Sequence, residues 1–81
     1  MFRQLVVGVH KTRYDDCLEF AKTKNGILST IQPDSDKESD FVLVEINFKD
    51  CNDMNSFIYS MYMKHGVYFY VDSCVFKSNI F

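Results

Sequence analysis

The chain has 81 residues, a formal net charge of −2, 47% hydrophobic residues and 16% aromatic residues. Those values exclude two separate hydrophobic cores, a disordered chain, and a protein whose affinity rests on neutralising many phosphates. Three cysteines, Cys17, Cys51 and Cys74, stand at wide spacing, and no secretory leader or membrane-length apolar run is legible, which predicts a cytoplasmic protein with reduced thiols.

RQLVVGVHK (3–11) alternates in polarity. Leu5, Val7 and Val9 share one side and Gln4, Val6, Gly8 and His10 the other, as in a strand with one buried face. TRYDDCLEFAKTKNG (12–26) changes to helical spacing, with Tyr14, Cys17, Leu18 and Ala21 on one stripe. Thr12 with Asp15 resembles a capping box, and Asn25-Gly26 is a left-handed stop. ILSTIQ (27–32) is a strand that Pro33 ends, and PDSDKESD (33–40) is a charged connection. FVLVEINF (41–48) is the strongest strand pattern, with Val42, Val44, Ile46 and Phe48 opposite Phe41, Leu43, Glu45 and Asn47. Residues 50–66 form a second helix, capped by Asp50 or Asn52, striped by Met54, Phe57, Ile58 and Met61, and stopped by Gly66. VYFYVDSCVF (67–76) is the last strand, with Val67, Phe69 and Val71 opposite Tyr68, Tyr70 and Asp72.

The order β-α-β-β-α-β, with two right-handed crossovers, resembles the ferredoxin-like fold over nearly the whole chain. That resemblance implies a single α+β domain, 1–81, with a four-stranded antiparallel sheet and both helices on one face. The other face is left uncovered, and it carries Gln4, Val6, Gly8, His10, Leu43, Glu45, Asn47, Tyr68 and Tyr70. The fold hosts many unrelated activities, so function has to be read from sites.

KHGVYFYVD (64–72) is similar to the RNA-recognition-motif signature of a basic residue, Gly and alternating aromatics. In that family the stretch lies on the central third strand, whereas here it falls on the fourth, at an edge. The third strand offers Glu45 and Asn47, and the first offers Val6 and Gly8, where stacking rings would be expected, so the family's stacking residues do not carry over. Tyr68 and Tyr70 fit two roles, bracing an edge strand or stacking on bases. A basic corner of His10, Lys11 and Arg13 sits beside a helix N-terminus that Asp15 and Asp16 already satisfy.

Asp34, Asp36, Glu38 and Asp40 alternate, with Glu45 at the twelfth position, a spacing akin to a calcium loop. Ser39 stands among these carboxylates and strands flank the segment, so it reads as an exposed connection whose negative patch steers a basic partner. No Cys-x-x-Cys pair, no Cys/His spacing and no nucleophile–base set is legible, which predicts no metal, no cofactor and no enzyme. The second helix carries more apolar and aromatic residues than one buried stripe uses. Tyr59, Tyr62 and Met63 are left over, and such residues favour protein contacts.

Phe, Tyr, Met, Ile, Asn and Lys account for 34 residues against 7 for Gly, Ala, Arg and Pro. That bias fits an AT-rich source, and a small chain of such origin fits a phage accessory protein in a host cytoplasm. The function expected is therefore a non-catalytic, protein-binding modulator or inhibitor of a host protein with a basic surface. It would use Val6, Leu43, Tyr59, Tyr62, Met63, Tyr68 and Tyr70 as anchors and Asp34, Asp36, Glu38 and Asp40 for steering. Homodimerisation through the sheet face or an edge strand is a further expectation. The alternative is a single-stranded RNA or DNA binder built on His10, Lys11, Arg13, Tyr68 and Tyr70.

Overall fold

The computed structural model describes residues 2–33 and 40–77. The elements run β1 (Phe2–His10), a short 3-10 helix (Lys11–Arg13), α1 (Tyr14–Thr23), β2 (Ile27–Pro33), β3 (Phe41–Phe48), α2 (Cys51–His65), a second 3-10 turn (Gly66–Tyr68) and β4 (Phe69–Lys77). All strand pairs are antiparallel and the sheet order is β2-β3-β1-β4. This is the ferredoxin-like arrangement, with β1 and β3 central and β2 and β4 at the edges.

Alternation decides which side of the sheet the helices cover. Leu5, Val7 and Val9 of β1 and Val44, Ile46 and Phe48 of β3 have no exposed surface. Cys17 and Ala21 of α1 and Met54, Phe57 and Met61 of α2 pack onto them. Phe57 lies at the centre of this layer, its ring 5.6 Å from Phe48 and 6.0 Å from Phe69. Burying aromatic area here is the main stabilising term open to so small a chain.

Helix ends follow local chemistry. Asp50 caps α2 by accepting from the Asn52 backbone N–H at 2.8 Å. Asn25 takes a left-handed φ of 62°. The Gly26 N–H donates to the Ala21 carbonyl at 2.7 Å and the Asn25 N–H to that of Lys22 at 3.1 Å, the paired bonds of a Schellman ending. Gly66 ends α2 at φ 54°, a conformation that an L side chain resists.

Three boundaries differ from the expected ones. Thr12 does not cap α1. It lies in the 3-10 helix, and the His10 ring takes its backbone N–H at 3.2 Å. Pro33 is the last residue of β2 rather than its terminator. Val67 is not on the buried side of β4: it is 85% exposed in the turn that Gly66 opens, and the strand begins at Phe69. β4 also carries a bulge. Val7 pairs with Val71 but Val6 with Ser73, leaving Asp72 as the extra residue.

Candidate functional site

On the open side of the sheet, the end formed by His10, Phe41 and Tyr70 gathers an aromatic corner. β1 ends at His10, which pairs in register with Phe41 of β3, and their rings meet edge-on at 5.4 Å. The turn after Gly66 swings Tyr68 back until its ring lies 5.1 Å from His10. Arg13 reaches over Tyr68, its guanidinium carbon 4.6 Å from the ring centroid, a cation–π geometry. Tyr70 of β4 crosses β1 to reach Phe41 at 5.7 Å. It can do so because Gly8 lies beneath: a Cβ at position 8 would fall on the Tyr70 ring. Tyr68 and Tyr70 remain 39% and 41% exposed.

His10 is held on several sides. Its Nδ1 lies 2.8 Å from Thr12 Oγ1, and its Nε2 is 3.8 Å from the Asp40 carboxylate. The Lys11 N–H donates to the Asp40 carbonyl at 2.8 Å, tying this end of β1 to the start of β3. The structure thus brings His10, Arg13, Tyr68 and Tyr70 together with Lys11 beside them, and adds Phe41 and Asp40. Phe41 as a ring partner was legible only through its register opposite His10. Val6 and Leu43, further along the same side, are half-buried. Asp34, Asp36 and Glu38 lie outside the described residues.

A second surface lies on α2. Tyr59, Tyr62 and Met63 follow one helical ridge, 57%, 46% and 73% exposed, and Val67, in the turn beyond the helix, is 85% exposed. Tyr62 is anchored by an edge-on contact with Phe69 at 5.0 Å, so its ring is held with one side outward. Beside the ridge, Lys24, Asn52, Asn55, Ser56, Tyr59 and Ser60 line a shallow open groove.

The two helices are bridged by one ionic cluster. The Asp16 carboxylate, in the first turn of α1, lies 2.8 Å from Lys64 Nζ and 3.2 Å from His65 Nε2. The hydrogen bond from Lys64, helped by the charges of Lys64 and His65, holds the Asp16 pKa below its ordinary value against a smaller opposing effect of desolvation. His65 is buried, and among the described residues neither its Nδ1 nor its Nε2 makes a directed hydrogen bond. Its burial was not legible locally, because Asp16 and the neighbouring Phe20 ring both belong to the other helix.

The thiols are separate. Burial pushes Cys17 up to about 12, so it stays protonated and non-nucleophilic at neutral pH. Cys51 is half-buried and Cys74 exposed, with Cys74 Sγ 3.7 Å from Met54 Sδ. Among the described residues no three His, Cys, Asp or Glu side chains converge as metal ligands, and no helix is long and apolar enough to cross a membrane. Compared with known proteins, the chain matches no family model, no curated protein and no solved structure.

Proposed function

We propose that this chain is a non-catalytic protein-binding domain whose contact surface is the ridge of Tyr59, Tyr62, Met63 and Val67. One observation carries the reading: Tyr59, Tyr62 and Met63 on α2 and Val67 in the following turn are 46% to 85% exposed. Exposed Met and Tyr in a contiguous ridge are the composition of a protein contact. Tyr62, pinned on Phe69, loses little freedom on binding. The partner is a protein with an apolar groove. The sequence run Asp34, Asp36, Glu38 and Asp40 fits a basic surface on that partner, and the composition fits a phage-type modulator of a host protein.

The test is capture from a host lysate with wild-type protein beside Met63→Glu and Tyr59→Ala. Both variants should keep the native circular-dichroism melt and lose one stoichiometric partner. A partner retained by both variants removes the ridge from the contact.

A second reading has its own support, the gathering of His10, Arg13, Tyr68 and Tyr70 into one partly exposed cluster. Rings flanked by cations suit single-stranded nucleic acid. Among the described residues only Lys11 and Arg13 bring fixed positive charge to the cluster, and Asp40 stands beside them, so the ridge is preferred. Fluorescence anisotropy with labelled oligo-dT and oligo-U at low salt decides it. Binding that falls with salt and is lost in Tyr68→Ala with Tyr70→Ala would move the function to this corner.

A further inference from the structure

We propose that two copies of the chain associate edge to edge through β4, in antiparallel register centred on Val75. The sheet has two edges, and they are guarded differently. β2 is seven residues long, has an irregular register between Leu28 and Ile31, and ends in Pro33, which has no N–H to offer. The charged sequence DSDKESD follows it. Shortness, irregularity, proline and charge are the devices that keep an edge from recruiting another strand.

β4 has fewer of these. It is nine residues long and free of proline. Its bulge is confined to Asp72, and beyond it Ser73, Cys74, Val75, Phe76 and Lys77 pair regularly with Val6 through Phe2 of β1. Val75 shares the open face with Gln4, and Phe76 shares the helix-side face with Arg3. Both are about half exposed, at 48% and 54%, so the strand shows apolar surface on each side of the sheet. A strand added at this edge covers both at once.

The run is complementary to itself, which argues for a second copy rather than a foreign strand. A two-fold axis perpendicular to the sheet has to pass midway between a residue and its own image, because paired residues share a face. With the axis at Val75, Val75 meets Val75, Cys74 meets Phe76, and Ser73 meets Lys77. Apolar residues oppose apolar residues, and no like charges are opposed. Moving the axis to Cys74 sets the bulged Asp72 against Phe76. Five residues make a small interface, so the association is weak and concentration-dependent. This surface shares no residue with the ridge on α2.

Sedimentation equilibrium of the full chain over a concentration series should give a mass rising from 9.5 kDa toward twice that value. Val75→Asp and Val75→Lys each set like charges against each other across the axis. Each should raise the dimer dissociation constant at least about tenfold with an unchanged melt. Mixing the two variants should restore association as a heterodimer, a result specific to position 75 facing itself. A monomer at every concentration overturns the proposal. So does a dimer indifferent to both variants, or a mixture that stays monomeric. Loss of the dimer on Met63→Glu, with Val75→Asp silent, assigns self-association to the ridge and also overturns it.

Discussion

The two faces of this sheet are made from the same strands but covered by different means. On one, Leu5, Val7, Val9, Val44, Ile46 and Phe48 are sealed beneath two helices and show no surface at all. On the other, Val6 and Leu43 stay half-buried and, among the described residues, one end is roofed only by rings that the strands and a turn supply themselves. The first face gains its stability from area removed from water. The second gains less, and holds its shape through a few ring contacts that depend on one another. A small domain can therefore secure its fold with one face and leave the other, with the outer ridge of α2, largely open.

The sharpest way to break this contrast is to remove matched rings from the two sides. Phe57→Ala empties the centre of the sealed layer and should cost about 3–5 kcal/mol in urea denaturation. Tyr70→Ala on the open side should cost only about 1 kcal/mol. Equal losses would mean that the two faces do not divide the work in this way.

A double-mutant cycle then sharpens the account of the roof. Gly8→Ala in a Tyr70→Ala background should stabilise by about 0.5–1 kcal/mol, since a strand glycine gives way to a less flexible residue. In the wild type the same change displaces the Tyr70 ring and should be clearly less favourable. Identical effects in both backgrounds would rule out the ring lying over Gly8.

At the rim of the sealed face, the Asp16 cluster should be felt in acid. A carboxyl whose native pKa is lowered stabilises the fold above its unfolded pKa. That contribution is lost as pH falls through the lowered native value, so the window lies below about pH 4. Asp16→Asn should flatten that part of the stability–pH curve, and an unaltered acid limb would discount the cluster. The smallest effect belongs to Met63→Ala, within about 0.5 kcal/mol of wild type in stability, even where partner capture falls.

The legible parts of the fold were those that local patterns determine. β3 matches its expected span because eight alternating residues permit one register and one buried side. The Asn25 stop and the Gly66 stop also follow from single residues with a left-handed backbone. What escaped rests on local contacts that no pattern marks or on distant partners. The His10 ring, not Thr12, meets the amide ahead of α1, and no spacing rule foresees a histidine in that role. The Asp72 bulge has no glycine to mark it. His65 is buried because an acid from the other helix arrives beside it. The candidate corner was largely visible: strand order put His10, Tyr68 and Tyr70 on one side with Arg13 nearby, while the turn that carries Tyr68 and the part played by Phe41 were not.

Cys17 gives the molecule a built-in clock. An alkylating reagent at neutral pH should modify Cys74, and then Cys51, while the chain stays folded. Cys17, fully enclosed and protonated, should react only when α1 lifts from the sheet. The lag before a third label appears by mass spectrometry is thus a reading of how often that helix detaches.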